Sequence, residues 1–244
     1  MNTDFSHITD IEGMRFVNEE DALNKLINEI HMRHIDLKDS IMLALSFNAL
    51  YLANALAQKF GATYDILFLE PILAPLNSKC EIALVSESMD IVMNESLINS
   101  FDITLDYVYG EAKRAYEEDI LSHIYQYRKG NAIKSLKDKN IFIVDRGIET
   151  GFRAGLGVQT CLKKECQDIY ILTPILAQNV AQGLESLCDG VISVYRPECF
   201  VSVEHHYKEL KRLSSEEIEK YLGANNAPNL KRNIKYGFYH HQLW

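Results

Sequence analysis

The run Ile141-Phe142-Ile143-Val144-Asp145-Arg146-Gly147-Ile148-Glu149-Thr150-Gly151-Phe152-Arg153 constrains the fold more than any other part of this chain. Four apolar residues stop at an aspartate. A glycine-containing turn follows, and the residues after it read as a helix. A continuous apolar run suits a strand buried on both faces, the mark of a parallel sheet covered by helices. Polar groups that meet ligands in such sheets stand just outside the carboxyl ends of the strands, where Asp145 falls.

Strands and helices alternate along the rest of the chain, which predicts an α/β fold with a mostly parallel central sheet flanked by helices. Leu23, Leu26, Ile27 and Ile30 give helical spacing between Asp21 and His34. Asp39 to Phe47 reads as a strand, Leu50 to Phe60 as a helix closed by Gly61, and Tyr64 to Leu69 as a second strand. Pro71 and Pro75 predict a loop. Ile82–Val85 and Asp90–Met93 are expected to form a hairpin with Ser86-Glu87-Ser88 near its turn. Leu105 to Arg128 reads as one long helix. Asn140–Val144, Asp168–Leu172 and Gly190–Tyr195 are further strands, separated by helices over Thr150–Lys164 and Asn179–Leu187. Ser214-Ser215-Glu216-Glu217 fits a capping box before a short helix to Leu222. The expected organisation is an N-terminal segment and helix over 1–38, an α/β domain over 39–224 with a hairpin or hood insertion at about 70–130, and a C-terminal tail over 225–244.

Composition narrows the partners. The chain has 244 residues, 47% of them hydrophobic, enough for a substantial core. Its net charge of −9 opposes a broad nucleic-acid surface, which needs clustered Lys and Arg. Lys231, Arg232 and Lys235 make the one basic patch, expected to be solvated. The stretch from Ile41 to Ala57 is interrupted by Ser46, Asn48 and Asn54 and falls short of the about 20 apolar residues of a membrane span, so no membrane partner is expected. Five cysteines without a CxxC pair argue for reduced thiols in a cytoplasmic protein, and the N-terminus does not read as a signal peptide.

The turn after Asp145 carries the chemistry. A helix N-terminus presents unpaired N–H groups and partial positive charge, which suit a phosphate. Gly151 allows close backbone approach, Thr150 adds a hydroxyl, and Ala154 keeps the first turn slim. Asp145 also fits a plain turn or capping role.

The segment resembles the signature of type I phosphoribosyltransferases: apolar residues, two acids, then a Thr-Gly loop that holds the 5-phosphate of phosphoribosyl pyrophosphate (PRPP). The resemblance extends over roughly residues 14–222 in the manner of one bacterial branch, including Pro197-Glu198-Cys199-Phe200-Val201-Ser202-Val203 followed by Tyr207. It implies a ribose-holding, catalytic role for Asp145, a phosphate loop of Glu149, Thr150, Gly151, Phe152, Arg153 and Ala154, and a diphosphate-side loop of Ser46, Phe47, Asn48 and Ala49. In that family Mg²⁺ rides on the diphosphate, so no metal site made by protein side chains is implied.

The sequence departs from the pattern at telling places. Arg146 replaces the second acid, and a permanent cation beside an oxocarbenium-like centre is unfavourable unless it pairs with Asp145 or Glu149 or turns away. Arg153 replaces the last hydroxyl of the phosphate loop, where a guanidinium fork still suits phosphate. The early loop has no glycine, and Glu70 and Pro71 stand where a basic residue is expected. Three readings stay open: a protein that binds a phosphorylated ribose or nucleotide with transferase activity lost, an active Mg²⁺-dependent transferase with an undefined acceptor, and an interaction scaffold. The aromatic-rich tail suits a homodimer contact. His205-His206-Tyr207, His240-His241 and the helical pair His31 and His34 lack acid or thiol partners at ligand spacing, so surface or helix-end roles are expected for them.

Overall fold

The fold is described for residues 16–225 by a computed structural model. In chain order the elements are α1 (Glu19–Met32), β1 (Ile41–Ala44), α2 (Leu50–Phe60), β2 (Thr63–Ile66), β3 (Leu69–Ala74), β4 (Asn77–Ser86), β5 (Ile91–Met93), α3 (Glu95–Ser100), α4 (Leu105–Ala115), α5 (Leu121–Arg128), β6 (Ile141–Val144), α6 (Phe152–Lys163), β7 (Ile169–Ile175), α7 (Gln178–Glu185), β8 (Gly190–Tyr195) and α8 (Ser215–Asn225).

Five strands form a parallel sheet in the order β2-β1-β6-β7-β8. Strand alternation sorts the core into two layers. Met42, Ala44, Phe142 and Val144 pack with α1 and α2, whereas Ile41, Leu43, Ile141, Ile143 and Ile171 pack with α6 and α7. Both faces are therefore dry, as the apolar runs predict. The passage from β1 into α2 accounts for the long apolar stretch beginning at Ile41. No helix among the described residues is long and apolar enough to cross a membrane.

A second, antiparallel sheet, β3-β4-β5, forms the hood. The hairpin β4–β5 matches expectation, but the loop expected at Pro71 does not. Pro71 lies within β3, and Pro75 begins the turn into β4. The proline is tolerated because β3 is an edge strand, where a missing N–H costs no inner ladder bond. The expected strand Tyr64–Leu69 is correspondingly split: β2 ends at Ile66, and the chain changes sheets through Leu67 and Phe68.

The long helix is present but contains a π-helical turn over Tyr116–Ile120. Its buried positions explain the widening. Val108, Ala112 and Ala115 follow helical spacing, then the next buried residue is Ile120, five positions on. A π turn keeps that residue on the packed face. The capping box at Ser214 forms in both directions: Ser214 N–H donates to Glu217 Oε2 (2.8 Å), and Glu217 N–H donates to Ser214 Oγ (3.2 Å). The tail from 226 onward, including His240-His241, lies outside the described residues.

Candidate functional site

Asp145 leaves the carboxyl end of β6, the middle strand of the parallel sheet. The peptide joining Val144 to Asp145 is held from both sides. Asp145 N–H donates to Leu172 O at 3.2 Å, and Val144 O accepts from Leu45 N–H at 3.3 Å. Asp145 is 9% exposed. Burial pushes its carboxyl up to about 6, although the amides of Arg146 and Gly147 donate to it and the charges of Arg153 and Arg146 favour ionisation. A group poised there exchanges its proton near neutral pH.

The following turn is tightly built. A Cβ on Gly147 would lie 2.7 Å from Val203 Cγ2. Ile148 is pinned to the end of β7: its N–H donates to Ile175 O at 2.9 Å. Gly151 then takes φ 75° and caps α6 without a side-chain bond, and a Cβ there would lie 2.6 Å from Val180 Cγ1. The first amides of α6, those of Phe152, Arg153 and Ala154, have no carbonyl one turn back within their helix.

A cavity of about 390 Å³ opens beside this turn. It brings together Asp145, Arg146, Glu149, Thr150, Gly151, Arg153 and Ala154 with Ser46 and Asn48 of the early loop. Three residues of the sequence-derived set are not on its wall. Phe152 borders a separate apolar hollow with Val180 and Leu184, Phe47 lines a neighbouring cavity, and Ala49 is fully buried. For Phe152 this leaves the main-chain amide as its contribution.

Arg146 lines this cavity and is tied to the C-terminal segment. Its guanidinium donates to Lys211 O at 3.2 Å, and it is 8% exposed. Its charge also favours ionisation of Glu19 on α1, whose carboxyl burial raises. Tyr207, buried, donates its hydroxyl to Arg146 O at 2.7 Å. The C-terminal segment thus fixes the residue that replaces the second acid. Arg153 also lines the cavity, with Nη2 3.7 Å from Glu81 Oε2. Glu81 reaches in from β4, and sequence reasoning misses it. Its one signal is a charge just ahead of the apolar run Ile82–Val85.

The neighbouring cavity, about 370 Å³, shares Ser46, Asn48 and Arg153 with the first. Phe47, Phe68, Glu70 and His123 line it. Phe47 meets His123 edge-on at 5.2 Å between centroids and Phe68 at 6.0 Å. His123 Nδ1 lies 3.3 Å from Glu70 Oε1 without an aligned hydrogen bond between them. Behind Phe68 sits a buried ion pair: Arg128 Nη2 is 2.5 Å from Glu87 Oε2, and the guanidinium lies 4.5 Å from the Phe68 ring centre. Glu87 Oε1 also accepts from Phe68 N–H at 3.1 Å. Glu87 therefore fastens the hood to the end of β2, a larger duty than the turn position expected for it.

The histidine pair differs from expectation. His205 and His206 lie in a 3₁₀ turn, Glu204–His206, and His206 is buried between Tyr195 and Phe200 rather than at the surface. Among the described residues no group of three His, Cys, Asp or Glu side chains is placed to hold a metal.

The architecture has a counterpart among solved structures. TT1426 from Thermus thermophilus superposes with a TM-score of 0.69 at 20% identity, over 86% of this chain and 98% of that one. A hypoxanthine phosphoribosyltransferase from Staphylococcus aureus matches at a TM-score of 0.42 and 10% identity, over 79% of this chain and 82% of that one. A purine phosphoribosyltransferase from Pyrococcus horikoshii Ot3 matches at 0.42 and 12%, over 80% and 90%. No protein-family model matches the chain, and no curated protein matches it. The covered parallel sheet, its strand order and the antiparallel hood define a type I phosphoribosyltransferase-like fold.

Proposed function

We propose that this protein binds a small molecule carrying a ribose 5-phosphate group, with transferase chemistry lost. The phosphate would meet the amides at the start of α6 together with Thr150 and Arg153, and the ribose hydroxyls would meet Asp145. One observation carries this reading: the uncapped N-terminus of α6, with Gly151 left-handed, and the buried Asp145 carboxylate border one cavity. The protein would act in the cytoplasm, in keeping with its five free thiols.

The scarcity of cations at the site supports loss of transfer. A transferring enzyme must neutralise a departing diphosphate. The cavity beside the early loop offers Arg153, already near Glu81, and adds the acid Glu70. Mg²⁺ would have to enter on the diphosphate, and these residues do not fit that group.

Calorimetric titration with ribose 5-phosphate, PRPP and nucleoside monophosphates, with and without Mg²⁺, tests the proposal. Saturable binding without diphosphate release is expected. Asp145-dependent, Mg²⁺-dependent release of diphosphate would establish the active-enzyme reading instead, and failure of every phosphate would leave a scaffold.

A further inference from the structure

We infer that Glu81 is a displaceable internal counter-ion for Arg153: it neutralises this guanidinium while the phosphate loop is empty and yields it when a phosphate arrives. The inference rests on the proposed phosphate site and concerns what sets the affinity of that site.

Glu81 reaches α6 because of a break in strand register. Ile72 and Leu73 are consecutive on β3, but their partners on β4 are Ala83 and Glu81, so Ile82 is an extra residue, a β-bulge. Ile82 and Ala83 consequently belong to the same core layer, the one packed with α1 and α2, whereas Leu84 belongs to the layer packed with α6. Regular alternation would put Glu81 on the side of Ala83 and Val85. The bulge turns it to the side of α6, and bulges re-aim side chains in this way beside ligand sites.

The contact made there is loose. Arg153 Nη2 stands 3.7 Å from Glu81 Oε2, beyond hydrogen-bond length, and both side chains are 35% exposed. Among the described residues no hydrogen bond ties either side chain elsewhere. A guanidinium carries five N–H donors in a fixed fork, so Arg153 can take up a phosphate without first breaking such a bond. Arg153 lies in the first turn of α6 and shares the cavity wall with Thr150 and Gly151. Its charge opposes the rise that burial imposes on the Glu81 carboxyl, and it favours ionisation of Asp145 as well. An ion pair at this exposure is weak, whereas phosphate oxygens accept two parallel bonds from the fork. The exchange therefore favours Arg153 and deprives Glu81 of its counter-ion.

The hood does not depend on this contact. Thr160 Oγ1 on α6 donates to Asp90 Oδ2 at 3.0 Å, and Lys163 pairs with the same carboxylate. Glu81 can thus be altered without detaching β4 from α6.

The full chain, Glu81→Gln, Arg153→Met and the double variant are titrated with ribose 5-phosphate and with inorganic phosphate at pH 7.5 and fixed low ionic strength. Amide shifts of the ¹⁵N-labelled proteins follow weak binding as well as tight, and each starting spectrum checks the fold. Glu81→Gln should bind both phosphates about fivefold more tightly, the upper end of what such a pair contributes. In the Arg153→Met background the same change should gain about twofold or less, because only like-charge repulsion is left to remove. A gain as large or larger in that background, which repulsion alone would give, overturns the inference. Unchanged or weaker binding by Glu81→Gln also overturns it, and both results leave the phosphate site intact. No binding of either phosphate by the unaltered chain or by Glu81→Gln overturns the inference and the site together.

Discussion

Arg146 donates to the main-chain oxygen of Lys211, sixty-five positions further along the chain, at 3.2 Å. Residue 146 stands beside Asp145, whose ionisation its charge favours, and its guanidinium is tied to the C-terminal segment near Glu19. The residue that most disturbs the transferase signature thus works as a structural tie.

Arg146→Met should therefore lower stability more than it lowers ligand affinity. The loss of the Lys211 bond and of the cation near Glu19 should cost about 1–2 kcal/mol. Urea unfolding measures this, and ribose 5-phosphate affinity should change less than threefold. A tenfold loss of affinity with unchanged stability would mean that the guanidinium serves the ligand.

Asp145 makes stability depend on pH. Its folded carboxyl is raised to about 6 from 3.8. Between those values the unfolded chain releases its proton while the folded chain keeps it, so stability falls as pH rises through this window. The full penalty above about pH 6 is roughly 3 kcal/mol on the scale of 1.36 kcal/mol per unit. Asp145→Asn should thus stabilise the protein at pH 7.5 by on the order of 1–3 kcal/mol and give little gain at pH 4, while weakening ligand binding. Thermal unfolding of both forms at the two pH values reads the difference. Equal or opposite effects would show that the carboxyl is not held neutral by burial.

The pair Glu87–Arg128 should be costly to break from one side. Arg128 is 3% exposed, and its Nε and Nη1 have no hydrogen-bond partner among the described residues. Glu87→Gln should cost about 3–5 kcal/mol, because it leaves a buried cation without its counter-charge. Replacing both residues with Met should cost less than that single change. Chemical denaturation of the three variants tests the ordering.

Gly151→Ala should disturb both stability and binding. The residue has φ 75°, and the added methyl would sit 2.6 Å from Val180 Cγ1. A cost of roughly 2 kcal/mol or more is expected from strain and overpacking. Adding Val180→Ala should recover part of the stability by removing the clash, but not the part due to the backbone. Full recovery would locate the whole effect in packing.

Much of this arrangement could be read from local pattern. The helix Leu50–Phe60 with its Gly61 stop, the strand Gly190–Tyr195 and the Ser214 capping box depend on neighbours in sequence and form as expected. So does the placement of Asp145 ahead of a helix N-terminus. What failed depended on distant partners. Pro71 reads as a breaker until its strand is known to lie at an edge. The π turn was present in the five-residue step from Ala115 to Ile120, a spacing that one helical template hides. Glu81 and His123 reach the cavities from the hood and α5, so no local motif announces them. Arg146 could be seen as anomalous, but its partner Lys211 could not be foreseen.

Everything proposed for the site depends on a phosphate held by the first amides of α6 beside Asp145. Amide chemical-shift mapping of the ¹⁵N-labelled chain during titration with ribose 5-phosphate tests it most directly. Saturable shifts should be largest at Gly151, Phe152, Arg153 and Ala154, with none of that size for unphosphorylated ribose. Saturable shifts centred elsewhere, or none at these four amides, would contradict it.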